Sequence, residues 1–125
     1  LARRFHDCGD TIRLFVRTQK DEIGPEVEYC TGDVRDMDAC IRATEGISVV
    51  YHIAAAYRDA SLSPQDYGAI NHQGSVNLFD AAAENGVSRF IHCSTVGVHG
   101  EIHGPPAAET APFHPDDAYQ ESKVA

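Results

Sequence analysis

The sequence predicts an α/β fold built on a parallel, doubly wound sheet. Three observations carry that expectation. Short β-branched or apolar runs alternate with longer segments of helical periodicity. One run, Ser48-Val49-Val50-Tyr51-His52-Ile53, is nearly continuously apolar, as suits a strand covered on both faces. Glycines stand where the helical patterns stop, at Gly9, Gly46 and Gly86. Strands alternating with helices at this spacing imply βαβ crossovers within one domain, residues 1–125.

Each element has a local signal. Residues 1–7 read as the end of a helix that Gly9 terminates. Thr11 to Val16 alternate apolar with polar or small side chains and read as a strand. A polar loop with Gly24-Pro25 leads to a short strand, Val27 to Cys30, closed by Thr31-Gly32-Asp33. Asp36 is placed to cap a helix with Met37, Cys40, Ile41 and Ala43 as its apolar positions. After the apolar run come Ala54-Ala55-Ala56, small enough to let a ligand approach the backbone. Pro64 and Asp66 open a long helix to about Asn85, whose Ile70, Gly74, Leu78 and Ala81 share one face. Arg89 to Ser94 form the next strand. Pro105, Pro106, Pro112 and Pro115 mark a long loop across residues 96–116. A last helix starts near Asp116-Asp117 and carries Tyr119 and Lys123.

Composition narrows the function classes. The 125 residues suit one domain. A net charge of −9, with only ten Lys and Arg, repels phosphate backbones, so nucleic acid is not an expected partner. No apolar run reaches the length of a membrane span, and no signal-peptide pattern opens the chain. Cys8, Cys30, Cys40 and Cys93 form no C-x-x-C pair and are expected as buried free thiols of a cytoplasmic protein. His99 and His103 are four apart. Gly100 and Gly104 argue against a helix aiming both at one metal, and no metal is expected.

The candidate chemistry lies toward the end of the chain. Tyr119 and Lys123, four apart, share one helix face. An ammonium beside a phenol favours the phenolate, which makes Tyr119 a candidate proton-transfer group. Upstream, a strand ends in the hydroxyls of Ser94 and Thr95. Asn71 is a poor helix former in mid-helix, which points to a structural task. Arg17 stands at the end of the first strand, with no acid before Asp21.

Several longer motifs run in a fixed order. They are Gly32-Asp33-Val34-Arg35-Asp36, His52-Ile53-Ala54-Ala55 and Asn71-x-x-Gly74-x-x-Asn77-Leu78. Then come Ser94-Thr95-Val96-x-Val98-x-Gly100, Glu109-Thr110-x-Pro112-x-x-Pro115 and Tyr119-x-x-Ser122-Lys123. On these motifs the chain resembles the extended short-chain dehydrogenases, the NAD-dependent epimerase/dehydratase family, over essentially its whole length.

The resemblance implies a Rossmann-like sheet that lacks the family's first strand with its G-x-x-G-x-x-G turn, and lacks the C-terminal substrate lobe. In the strand order 3-2-1-4-5-6 that first strand would lie at the centre, between two strands present here. The chain then reads as an internal fragment, expected neither to pack well nor to turn over alone. The implied catalytic residues are Thr95, Tyr119 and Lys123, with Asn71 supporting the active-site backbone and the lysine. Thr95, beside Ser94, would hold the substrate oxygen. Tyr119 would move the proton, and Lys123 would also bond the nicotinamide ribose. Asp33 would accept from the adenine amino group, with Val34 on the ring and Ile53, Ala54, Ala55 and Ala56 along the dinucleotide. Arg17 suits a 2′-phosphate, which favours NADP over NAD. His99 stands where many relatives place a substrate-contacting Tyr.

The expected reaction is transient or net oxidation of a hydroxyl on a nucleotide sugar or similar alcohol, giving epimerisation, dehydration or reduction. The alternatives are an NADPH-dependent carbonyl reductase of the dihydroflavonol-reductase or hydroxysteroid-dehydrogenase type, and a non-catalytic dinucleotide binder. A homodimer through the long helix and the Tyr-bearing helix is expected, with Val76 and Phe79 exposed for it.

Overall fold

A computed structural model describes residues 1–19, 23–102 and 104–125. The chain begins with α1 (Ala2–Asp7), β1 (Arg13–Val16), β2 (Glu28–Thr31), α2 (Met37–Thr44) and β3 (Val49–His52). A helical run follows in three parts: α3 (Pro64–Tyr67), a π turn (Gly68–Gln73) and α4 (Gly74–Glu84). The last elements are β4 (Arg89–His92), a 3₁₀ turn (Val96–His99) and α5 (Ala118–Val124).

Local chemistry sets the helix starts. Asp36 caps α2 by accepting from the backbone N–H groups of Asp38 and Ala39. Ser63 and Asp66 form a reciprocal capping box at α3, with Pro64 at the first helical position. α2 and α4 are followed by Gly46 and Gly86 at φ of 71° and 70°, a conformation glycine adopts without a Cβ penalty.

The strands pair in parallel, as expected, but as two separate ladders. β1 pairs with β2 from Arg13↔Glu28 to Val16↔Thr31. β3 pairs with β4 from Val49↔Arg89 to His52↔His92. No ladder joins β1 to β3 among the described residues. Both ladders rest on one helical layer. Its centre is Cys40, Leu78 and Ala81, on which Phe15, Val50 and Phe90 pack from three strands. Close approach is possible because Gly74 faces Val34, where a Cβ would come within 2.5 Å of Val34 Cγ2. Asn85 then ties α4 to α2, donating to the Ile41 carbonyl and to Thr44 Oγ1, each at 2.9 Å.

Two expectations are corrected. β3 is not covered on both faces: Val49 and Tyr51 are 39% and 46% exposed. The α2–α4 layer covers the opposite face, and Tyr51 meets Phe5 of α1, ring centres 5.0 Å apart. The four cysteines are free, but only Cys40 is buried. Cys8 ends α1 and Cys93 lies just past β4, and both are exposed where no layer covers the element ends. The exposure expected of Val76 and Phe79 is found, at 37% and 56%. Among the described residues no helix is long and apolar enough to cross a membrane.

Candidate active site

The site forms where β3 and β4 end side by side. The chain leaves β3 through Ile53–Ala56 and leaves β4 through Cys93–Thr95, and α5 packs close to both. Asn71 holds these parts together from the π turn. Its Oδ1 accepts from Ala56 N at 2.7 Å, and its Nδ2 donates to Ala56 O at 3.0 Å and Ser122 Oγ at 2.9 Å. Ser122 Oγ in turn donates to the Tyr119 carbonyl at 2.7 Å. Asn71 therefore clamps the loop after β3 to the helix that carries Tyr119. The support implied for the lysine is indirect: Asn71 reaches Ser122, the neighbour of Lys123. Lys123 Nζ itself donates to the Cys93 carbonyl at 2.8 Å, and partial burial lowers its pKa from the usual lysine value.

A second polar layer lies behind Asn71. Ser75 Oγ donates to the Asn71 carbonyl, and His52 Nε2 lies 2.8 Å from Ser75 Oγ. The serine has one proton, and the carbonyl takes it. His52 must therefore donate through Nε2, which fixes its tautomer. Burial, helped by the charges of His92 and Lys123, pushes His52 down to about 4, so the ring is neutral near pH 7. The sequence reading did not single out His52 or Ser75 as site residues. Their partnership spans 23 residues and has no local signature.

Asn71→Leu should cost the full-length protein about 3 kcal/mol, because it leaves the Ala56 N–H, the Ala56 C=O and the Ser122 hydroxyl short of partners. A denaturant midpoint reads this directly, and an unshifted midpoint would remove the clamp from the account.

Thr95 caps the 3₁₀ turn, its Oγ1 accepting from Gly97 N at 3.2 Å, which leaves its own O–H free to donate. Thr95 and Tyr119 line one cavity of about 560 Å³ together with Tyr57, Arg58 and Tyr67. Ser94, Thr95, His99 and Lys123 line a neighbouring cavity of about 480 Å³. Thr95 thus borders both. Tyr119 is half-buried and meets Tyr57 edge to face, ring centres 4.8 Å apart. His99 Nδ1 lies 3.2 Å from the Pro112 carbonyl, and its ring packs on Phe113. α5 is anchored at its start, where Asp117 Oδ1 accepts from Gln120 N and Gln120 Oε1 accepts from Asp116 N, both at 2.7 Å.

The expected cofactor residues lie along the C-terminal ends of the strands. Ile53, Ala54 and Ala55 are exposed and Ala56 is half-buried. Asp33 is engaged by Arg35 in a bidentate pair, Nε to Oδ1 at 3.0 Å and Nη2 to Oδ2 at 2.7 Å. Those bonds, opposed in part by burial, hold Asp33 at about 2. Oδ2 keeps acceptor capacity, since a carboxylate oxygen takes more than one donor. Val34 turns partly inward against Gly74 and the core. Arg17 is exposed just past β1, and its charge adds to the depression of Asp33. Asp21 and His103 lie outside the described residues.

The family model described as NAD dependent epimerase/dehydratase matches residues 1–125. The chain belongs to the NAD dependent epimerase/dehydratase family. Among curated members, it is 32% identical over 103 residues to 3beta-hydroxysteroid-dehydrogenase/decarboxylase isoform 2 of Arabidopsis thaliana, covering 78% of this chain and 18% of that one. A short-chain dehydrogenase/reductase superfamily protein of Agrobacterium tumefaciens, solved with bound NAD, superposes with a TM-score of 0.86 at 28% identity. That match covers 98% of this chain and 37% of the solved one. The Bordetella bronchiseptica enzyme WbmG, solved with NAD and UDP, gives 0.86 at 28% identity, covering 97% and 41%. The chain therefore spans less than half the length of these family members, and its Rossmann-like fold is partial relative to the solved structures.

Proposed function

We propose that the full-length protein is an NAD(P)-dependent oxidoreductase-type enzyme acting on a hydroxyl of a nucleotide sugar or similar alcohol, and that residues 1–125 form part of its dinucleotide-binding domain. The observation that carries this reading is the convergence of Thr95 and Tyr119 on one cavity, with Lys123 fixed at the adjoining strand end.

The strand-end rim fits a dinucleotide. Exposed Ile53, Ala54 and Ala55 offer a low apolar surface just past the end of β3. A nicotinamide bound there supplies the hydride acceptor and donor. The chain's own groups handle position and protons. The free O–H of Thr95 donates to the substrate oxygen. Tyr119 takes the hydroxyl proton as the carbonyl forms and returns it in the reverse direction. Lys123 spends one N–H on the Cys93 carbonyl and keeps two donors for the ribose.

Two relatives point to two substrate groups: the Arabidopsis protein is a 3beta-hydroxysteroid-dehydrogenase/decarboxylase by name, and WbmG is solved with UDP bound. The hydroxysteroid name supports a carbonyl-reductase or hydroxysteroid-dehydrogenase reading as the second choice. Assaying the full-length protein with NAD(P) and panels of nucleotide sugars and sterols separates the two. Dinucleotide binding with no turnover on either panel leaves only a catalytically silent binder.

Arg17 supports NADP. The two solved relatives contain NAD. Arg17→Ala should weaken NADP(H) relative to NAD(H) by about tenfold, the value of one charge-assisted contact. Equal effects on both dinucleotides would make Arg17 a surface charge. The apolar face bearing Val76 and Phe79 is where the expected homodimer would form.

A further inference from the structure

We propose that Arg58 forms an anion subsite beside Tyr119, so that the substrate is an alcohol with a carboxylate or phosphate close to the reacting hydroxyl. This inference rests on the oxidoreductase reading above and narrows its substrate.

Arg58 lines the same cavity of about 560 Å³ as Thr95 and Tyr119, and it is the single cationic side chain of that lining. The lining also carries two acids, Asp59 and Asp117, each with Oδ1 engaged by a nearby donor. Asp59 Oδ1 accepts from Ser61 N at 3.0 Å and Ser61 Oγ at 2.6 Å. Asp117 Oδ1 accepts from Gln120 N. Among the described residues Arg58 makes no salt bridge. Its guanidinium stands over the Tyr57 ring, 5.1 Å from the centroid, and Tyr57 meets Tyr119 edge to face. A guanidinium held by its face keeps its in-plane N–H donors for a planar or tetrahedral anion. The chain carries a net charge of −9, so an unpaired cation beside the proton-transfer group is not part of a general positive field.

The backbone points the same way. Arg58 has φ of 50°, the one positive φ among the described non-glycine residues. Such a conformation is disfavoured for a long side chain, and the surroundings hold it in place. Asn71 grips Ala56 on one side. On the other, the Tyr67 hydroxyl accepts from Asp59 N at 3.0 Å and donates to Asp59 O at 3.2 Å. Glycine would sit there without a Cβ penalty, so arginine at this position runs against local preference.

The test uses the full-length protein saturated with dinucleotide. Calorimetric titrations compare 3-hydroxybutyrate, glycerol 3-phosphate and neutral 1,3-butanediol on wild type, Arg58→Gly and Arg58→Lys. At least one anionic probe should bind wild type ten times or more tighter than butanediol, and the probe that does so tells carboxylate from phosphate. Arg58→Gly, which suits the backbone, should melt no lower than wild type, hold the dinucleotide as well, and lose the anion preference. Arg58→Lys should recover part of it. Anions that bind no tighter than butanediol, or a preference that survives Arg58→Gly, overturn the subsite. Tyr119-dependent turnover without anion preference sinks the subsite alone. An Arg58-dependent preference without turnover on any panel sinks the oxidoreductase reading instead.

Discussion

Replacing Tyr119 with Phe in the full-length protein should lower kcat by about 10³-fold and leave dinucleotide affinity within about threefold. The change removes one hydroxyl and little else. The contact with Tyr57 is made by the ring, the caps of α5 involve Asp117 and Gln120, and the Asn71 clamp reaches α5 through Ser122. None of these uses the phenol oxygen. Its two partners in the candidate site do not replace it either. Lys123 donates to a carbonyl, and the Thr95 hydroxyl is a poor base near neutral pH. Single-turnover hydride transfer, set beside a dinucleotide titration, separates the two quantities. A loss below about tenfold would hand the proton to water or to another side chain.

The 125-residue chain on its own should show no cooperative thermal transition. Its accessible surface is 8461 Å², whereas a folded monomer of 13.6 kDa has about 6,600 Å². The excess, nearly a third, has a visible source. Among the described residues the strands form two ladders that share a helical layer but no ladder hydrogen bonds, and Val49, Tyr51 and Ile53 stay open on or just after β3. The largest fully buried side chains are Asn71, Thr44 and Cys40, none of them a large hydrocarbon. A core of that kind cannot offset the ordering entropy of the chain. Calorimetry with near-UV circular dichroism decides the matter. A sharp endotherm with loss of fixed aromatic signals would show that the segment is a self-sufficient domain.

What could be read from the sequence were the signals that act over a few residues. Asp36, Pro64 and Asp66 mark helix starts because caps work within one turn. Gly46 and Gly86 mark helix ends for the same reason. As candidates, Tyr119 and Lys123 stand out by their spacing, and Ser94 and Thr95 by their place at a strand end, Thr95 being singled out by the family resemblance. The remainder depended on distant partners. Asn71 could be flagged as an odd residue in a helix, but its bonds to Ala56 and Ser122 span 15 and 51 residues. An apolar run such as Ser48 to Ile53 states that its side chains are apolar, not how many layers will cover them. The exposure of Val49 and Tyr51 was therefore hidden. Tyr57 and Arg58 lie in a loop without periodicity, and their place in the site comes from how the loop is held at both ends. Asp33 and Arg35, two apart, were visible as charges, but their pairing depends on the turn that folds one onto the other.

The π turn has a consequence for which changes of length this segment can absorb. Such a turn holds one residue more than the α-helical turn it replaces. Each residue turns a helix by about 100°, so the turn offsets the faces before and after it by that angle. Tyr67 and Asn71 serve the loop after β3, whereas Leu78 and Ala81 serve the core, on a helical run that a single stripe would otherwise describe. A one-codon deletion between Gly68 and Gln73 would give a more regular helix and swing Asn71 away from Ala56 and Ser122. Substitutions at exposed positions here are minor events, but the reading of length is strict: the site depends on a residue count that helical regularity would discard.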